Sequence, residues 1–389
     1  MKEFRTVVVG TGFIGPVHVE ALRRAGVTVA GIVGSSPEKS TEASKALGLP
    51  ATYPTLESVL NDPTIDAVHL ATPNRLHFEQ AAAVLRSGKH VVCEKPLAMT
   101  SRQSAELVEI AAASGRAAAV AYNIRFYPLC HEAAARVAGG SVGEFLHVSG
   151  SYVQDWLLCK TDFNWRVLAE DGGELRAVAD IGTHWLDLIQ FITGQRVVAV
   201  CADLRTVYPQ RERPIGNVET FSGSGSSDIP RESVQVTTED CGSVMLKFSG
   251  GANGCMWVSQ TTAGRKNCLR FEIGGTEQCL AWNSQSPNEL FIGQRDCANE
   301  SLIRDPALLQ PQSAALCNYP GGHNEGFPDT FKQLFRCFYG SIADQSFATD
   351  PPFPTFADGH HEVLLCEAIL TSHRKRTWVD VAKDQGDHQ

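Results

Sequence analysis

Phe4-Arg5-Thr6-Val7-Val8-Val9-Gly10-Thr11-Gly12-Phe13-Ile14-Gly15 opens the chain with a β-branched run that passes without a gap into glycines spaced GxGxxG. Val17 to Ala25 then recur at helical spacing, and Gly26 stops them. The spacing has physical meaning in this order of strand, turn and helix. Gly10 permits a tight turn, Gly12 lets a pyrophosphate approach the backbone, and Gly15 lets helix and strand pack closely, with the phosphate charge met by the helix amino end. Gly10, Gly12, Phe13, Ile14 and Gly15 are therefore expected to cradle a dinucleotide; a purely structural glycine turn is the alternative.

A second strand, Val27 to Val33, runs into Gly34-Ser35-Ser36-Pro37-Glu38-Lys39. An NAD site usually has an acidic residue here for the adenosine ribose diol, and this chain has none. Nothing at Ser35 or Ser36 repels a 2′-phosphate and Lys39 lies nearby, so NAD or NADP is expected. Lys39 also reads as an exposed residue in the first turns of a helix.

The alternation continues with helix 55–60, strand 65–70, helix 76–85, strand 91–93, helix 101–114 and strand 117–121. Right-handed crossovers make such strands parallel and bring their carboxyl ends to one edge, where ligands bind. Gly10, Gly34, Thr72, Lys95 and Asn123 fall on that edge. Lys95 comes from Gly88-Lys89-His90-Val91-Val92-Cys93-Glu94-Lys95-Pro96, in which the proline ends a buried strand and biases Lys95 toward an extended conformation. A ligand-facing amine and a solvated pair with Glu94 are both open readings of it.

Composition narrows the class. The chain has 389 residues, more than one ordinary core, with 34 Lys plus Arg against 43 Asp plus Glu for a net charge of −9. No basic cluster interrupts that balance, so nucleic acid and anionic membrane are not expected as partners. There is no run of about 18 apolar residues and no signal-peptide pattern, and a soluble, cytoplasmic protein is expected. The 12 cysteines lie singly without metal-type spacing, which suggests reduced, mostly buried thiols.

After about residue 125 the pattern changes. A helix over 126–138 and a long strand over 145–155 precede successive strands at 197–206, 234–238, 243–248, 254–261, 269–273 and 277–282. Helices over 325–339 and 356–372 follow, and a polar tail starts at Ala382. The polar segment 208–231, with Ser222-Gly223-Ser224-Gly225-Ser226-Ser227, reads as a mobile insertion. The fold class is α/β: an amino-terminal doubly wound Rossmann domain over 1–124 and a carboxyl-terminal α+β domain over 125–389 with a large, mostly antiparallel open sheet, the last helix packing back on the first domain.

In Asp180-Ile181-Gly182-Thr183-His184-Trp185-Leu186-Asp187-Leu188, residues Ile181, Trp185, Leu188 and Ile192 share a helical face, and Gly194 caps it. Asp180 and His184 lie one turn apart, as suits a carboxylate orienting an imidazole. A helix cap at Asp180 and a core histidine at His184 explain the same spacing.

Taken in order, GTGFIG, Ala71-Thr72-Pro73-Asn74 with His77, GKHVVCEKPLA, Tyr122-Asn123 with Arg125-Phe126, the GG…DIGTHWLD segment and Phe353-Pro354-Thr355-Phe356-Ala357-Asp358-Gly359 resemble the Gfo/Idh/MocA oxidoreductases along nearly the whole chain. The resemblance implies NAD(P)-dependent oxidation of a sugar or polyol hydroxyl and a second domain that mediates dimers or tetramers. Matched residue by residue, it implies Lys95, Asp180 and His184 as catalytic. It places Thr72, Pro73, Asn74, His77, Glu94, Lys95 and Asn123 on the nicotinamide side, and Lys95, Arg125, Trp165, Arg166, Asp180 and His184 on the substrate side. Gly34-Ser35-Ser36 departs from the Asp of many relatives, and Glu174 to Val178 lengthens the loop before Asp180.

Alcohol oxidation needs a base on the hydroxyl while hydride leaves carbon, work suited to His184, with Lys95 stabilising the oxygen's developing charge and Asp180 fixing the imidazole. No metal is expected: His360-His361-Glu362 and His323-Asn324-Glu325 read as solvated residues near helix starts, or as a substrate contact at His323. The expected function is a sugar, glycoside or inositol dehydrogenase. The alternatives are a glycoside-cleaving enzyme that oxidises transiently with a held NAD, and a non-catalytic sugar or dinucleotide sensor.

Overall fold

The computed structural model describes residues 3–215 and 230–382. It forms two compact units, Met1–Asn123 with Pro328–Val363, and Ile124–Phe327 with Leu364–Gln389.

The first unit starts with β1 (Arg5–Val9), α1 (Ile14–Arg24), β2 (Thr28–Val33), α2 (Pro37–Ala46), α3 (Leu56–Leu60), β3 (Ala67–Leu70), α4 (His77–Arg86), β4 (His90–Cys93), α5 (Ser101–Ser114) and β5 (Ala118–Val120). All five strands pair parallel in the order β2-β1-β3-β4-β5. The inner strands are buried on both faces, which accounts for their lack of apolar alternation. Strand order reverses at β1, so the turns after β1 and β3 are neighbours at the carboxyl edge. The unit is completed by residues from the far end of the chain: Val120 N–H donates to the Pro354 carbonyl (2.8 Å), and Phe356 enters the same core. Phe331, Phe335 and Phe338, about one turn apart on the helix Phe327–Asp344, are fully buried.

The second unit contains α6 (Pro128–Ala138), β6 (Phe145–Val153), α7 (Ala169–Gly172), α8 (Thr183–Thr193), β7 (Val197–Arg205), β8 (Gln210–Pro214), β9 (Arg231–Gln235), β10 (Cys241–Phe248), β11 (Asn253–Ser259), β12 (Cys268–Gly275), β13 (Gln278–Asn283), β14 (Glu289–Gln294), β15 (Glu300–Ile303), α9 (Pro311–Ala314), most of α11 (Phe356–Lys375) and β16 (Val379–Asp380); α10 is the helix Phe327–Asp344. Nine strands form one sheet in the order β15-β14-β13-β12-β6-β11-β10-β7-β16, antiparallel except for the β6 and β11 pair. Strands such as β10 alternate buried and exposed residues, so one face carries the core with α6 and α8 while the other is open. Met245, Trp257 and Phe291 are exposed on the open face.

Several expectations are corrected. The segment 208–231 is not simply a polar insertion: β8 and β9 pair as a ribbon, with Arg211 fully buried at its root. Its Gly-Ser stretch lies outside the described residues, as does the tail from residue 383. The ribbon moves the strand expected at 234–238 back to Arg231–Gln235, and β14 and β15 were not anticipated. The helix expected from Glu325 begins at Phe327, because Glu325 is buried against Arg304. His360, His361 and Glu362 are buried rather than solvated, and His360 Nδ1 lies 2.7 Å from Ser104 Oγ. Four cysteines (93, 130, 241 and 268) are buried, fewer than expected, and all twelve are free thiols.

Candidate active site

The glycine turn at the end of β1 has the shape a dinucleotide requires. A Cβ on Gly10, whose φ is +120°, would lie 2.2 Å from the Ala71 carbonyl oxygen, and one on Gly15 would lie 2.0 Å from that of Gly10. Gly12 has no atom within 4 Å of its Cβ direction, so the space before α1 is open at the point where a phosphate would approach. Phe13 and Gly12 are exposed and Gly15 is buried. After β2, a Cβ on Gly34 would lie 2.9 Å from Lys39 Cβ and Ser40 N, so a carboxylate at position 34 is sterically barred. Ser36 caps α2 by accepting the Lys39 N–H, while Ser35 and the Lys39 side chain are exposed.

Lys95 leaves the carboxyl end of β4, half-buried, ahead of a cis peptide to Pro96. Its backbone N–H donates to Glu94 Oε2 at 3.3 Å. His77, at the start of α4, ties this loop to the one after β3: Nδ1 lies 2.7 Å from the Pro96 carbonyl and Nε2 2.8 Å from the Thr72 carbonyl. Two carbonyls face two ring nitrogens, so a neutral ring satisfies one and an imidazolium both. Burial pushes the His77 pKa down, while both carbonyls and the Glu94 charge oppose that. Thr72 donates its hydroxyl to Gln80 (2.7 Å), Pro73 is half-buried and Asn74 is buried, and Asn123 Nδ2 donates to Thr330 Oγ1 (2.7 Å). The expected nicotinamide-side residues therefore share one edge of the first unit.

In the second unit Asp180 sits inside a π-helical turn, Val178–Gly182, that runs directly into α8. Such a turn aims a side chain off the regular helical register. Asp180 is not the helix cap; that task falls to the buried Glu239 carboxylate, which accepts the N–H groups of Arg176 (2.9 Å) and Val178 (2.8 Å). Burial pushes the Glu239 pKa up. Asp180 accepts from Gln260 Nε2 at 2.9 Å and pairs with Arg166 Nε at 3.3 Å, while the Arg166 guanidinium lies 4.5 Å from the Trp165 ring. Trp165, Arg166 and Asp180 are thus gathered into one constellation. His184 is buried on α8, its ring 6.2 Å from that of Tyr152. Burial, then the Asp180 charge, raises the Tyr152 pKa.

Two expected substrate contacts have strong local partners. Arg125 forms a bidentate pair with the buried Asp187, Nε at 2.7 Å and Nη2 at 2.5 Å. His323 is exposed in a loop held by Arg304, which donates to its carbonyl at 2.5 Å. Sequence reasoning missed His18, His69 and Gln260. For His69 a signal was present: a histidine in the strand Ala67-Val68-His69-Leu70, buried on both faces, requires an internal partner. Among the described residues no group of three or more His, Cys, Asp or Glu is arranged to hold a metal ion.

Residues 4–122 match the family model described as "Oxidoreductase family, NAD-binding Rossmann fold", and residues 130–281 match the GFO/IDH/MocA C-terminal domain. Levoglucosan dehydrogenase of Pseudarthrobacter phenanthrenivorans is 30% identical, over 98% of this chain and 99% of its own. A levoglucosan dehydrogenase structure in complex with NADH and levoglucosan has a TM-score of 0.87 at 28% identity, covering 98% of this chain and 100% of that one. An inositol dehydrogenase homolog from Azotobacter vinelandii, complexed with NAD+, has a TM-score of 0.84 at 25% identity, covering 97% of each. The chain therefore belongs to the GFO/IDH/MocA family of oxidoreductases, and its first unit is that family's NAD-binding Rossmann fold.

Proposed function

We propose that this enzyme oxidises a secondary hydroxyl of a sugar, glycoside or inositol with NAD or NADP. The observation that carries this reading is Lys95 leaving the sheet at the same edge as a glycine turn open at Gly12; the levoglucosan dehydrogenase and the inositol dehydrogenase homolog among its relatives support the substrate class. The bound nicotinamide supplies the hydride acceptor. His184 takes the hydroxyl proton. Lys95 hydrogen-bonds the same oxygen and stabilises its growing negative charge, and Asp180, braced by Arg166 and Gln260, orients the imidazole and binds substrate. Residues 1–124 hold the dinucleotide, with Thr72, Pro73, Asn74, His77, Glu94 and Asn123 on its nicotinamide side. Residues 125–389 present the substrate, with Arg125, Trp165, Arg166 and His323 as contacts.

Lys95→Ala and His184→Ala should each lower turnover by about two orders of magnitude or more, with cofactor affinity little changed. Acting on one oxygen, they should combine far less than multiplicatively. Loss of His184 should also remove the limb of the oxidative pH profile that rises with pH. Near-normal turnover of either single variant in a cofactor-reduction screen over sugars, inositols and glycosides would refute the assignment.

The same reading has the open face of the nine-stranded sheet pack against a second copy, giving a homodimer or homotetramer. It places the protein in the cytoplasm, away from nucleic acid and membrane, in keeping with a net charge of −9. Among the described residues no helix is long and apolar enough to cross a membrane.

A further inference from the structure

Beneath the Lys95 loop lies a line of buried polar groups that the proposed chemistry does not use. His18 on α1 and His69 on β3 are both 0% exposed. His18 Nε2 lies 3.1 Å from Glu94 Oε1, His18 Nδ1 lies 3.1 Å from His69 Nδ1, and His69 Nε2 lies 2.9 Å from the Tyr339 hydroxyl on α10. Phe331 and Phe335 pack on the His18 ring, and Phe335 and Phe338 on the His69 ring.

These contacts fix where the protons sit. An ionised carboxylate only accepts, so His18 Nε2 carries hydrogen. Between the two Nδ1 atoms there is room for one proton, and with both rings neutral it belongs to His69. His69 Nε2 is then a lone pair, filled by the Tyr339 hydroxyl. Every ring nitrogen has a partner of the right kind and no proton is left over. The reverse order requires a protonated Glu94. Burial lowers the His69 pKa and raises that of Tyr339, so both favour the neutral forms this order requires. The other titratable groups around the line are Lys95, His77 and Cys93 beside Glu94, and Asp66 beside Tyr339.

The geometry points to His18 as a positioning residue for Lys95, acting through Glu94, with hydrogen bonds running in one direction from Tyr339 to His69 to His18 to the carboxylate. Glu94 is gripped at Oε1 by His18, and at Oε2 it braces the peptide N–H of Lys95. This functional part rests on the reading of Lys95 as the group on the reacting oxygen. The arrangement converts packing in the core of the first unit into placement of the amine, where small errors are costly.

The test has two arms. In the first, the full chain with 15N-labelled histidine, free of ligand at neutral pH, is examined by NMR, with His18→Gln and His69→Gln used for assignment. His18 should show a protonated Nε2 and a bare Nδ1, and His69 the opposite; any other pattern overturns the proton order. In the second, His18→Leu should lower kcat about tenfold with the cofactor KM within about twofold, and His18→Gln, whose amide can still donate to Glu94, should recover most of it. Equal losses in both variants, or normal turnover in His18→Leu, overturn the positioning role. Should no alcohol be oxidised even by the unaltered chain, the functional reading fails, while the tautomer arm still decides the hydrogen-bond line.

Discussion

Asp240 is the buried charge whose loss should cost the second unit most. It has no exposed side-chain surface, and neither have its partners Arg176 and Arg211. Its Oδ1 accepts from both guanidinium groups, Arg211 at 2.6 Å, and its Oδ2 accepts the N–H groups of Val207 (2.6 Å) and Tyr208 (3.2 Å). Asp240→Asn preserves shape, yet whichever way the amide turns, its NH2 group meets either two guanidinium donors or two backbone donors. It also leaves Arg176 with Glu239, and Arg211 with the half-buried Asp162, as the nearby carboxylates that remain. Breaking such a pair costs about 3–5 kcal/mol, which for a unit of this size lowers its melting transition by roughly 10 °C. Glu232→Gln is the control: its pair with Arg213 is 48% and 39% exposed, so the cost should stay under about 1 kcal/mol. Scanning calorimetry of the three proteins decides the matter, and a shift below about 2 °C for Asp240→Asn would refute the reasoning. Acid provides a second check. Burial raises the Asp240 pKa, but the two guanidinium charges and their hydrogen bonds outweigh it, leaving a net depression below 3.8. Its contribution is therefore complete above pH 3.8 and lost as pH falls through the folded-state value, so wild type and Asp240→Asn should converge there. Glu239, shifted the other way by burial, is common to both proteins.

Two further outcomes follow from the fold. Ser35→Asp places a carboxylate next to the sterically closed Gly34 and should raise the preference for NAD over NADP about 10- to 100-fold, the scale of one charged hydrogen bond; a wild type that already rejects NADP by several orders of magnitude contradicts this. On the open sheet face, Met245 and Trp257 are 48% and 46% exposed. Light scattering at micromolar concentration should show a dimer or tetramer that Trp257→Glu reduces to a monomer, and a monomeric wild type counts against sheet-to-sheet assembly.

The first unit was legible because its rules are local. Glycine spacing, buried strands and capped helices each fit in a dozen residues, and Thr100 and Gly115 close α5 as their residue types suggest. The helix carrying His184 was legible too, down to its left-handed cap at Gly194. What could not be read depends on distance. Arg176 and Arg211 look like solvated charges until Asp240, far along the chain, is brought to them. Arg125 looks available to a substrate until α8 delivers Asp187. His360, His361 and Glu362 resemble a polar helix start, and only the packing of α11 buries them. β14 and β15 were missed because they are short and half-polar, and the π-helical turn at Asp180 depends on Glu239, some 60 residues away.

The carboxyl-terminal piece of the first unit, Pro328–Val363, sets a timetable. When β5 has been synthesised all five parallel strands exist, yet His18 and His69 still lack the phenylalanines and the hydroxyl that bury them. About 220 further residues must be made before these arrive, roughly 10 to 45 s at ordinary rates of translation. Over that interval the dinucleotide fold is an open sheet with two uncovered histidines and an unpaired Val120 N–H. The first fold is closed by residues some 200 positions beyond its last strand, so a stop codon before Pro328 would spoil the dinucleotide fold although all five of its strands had been made.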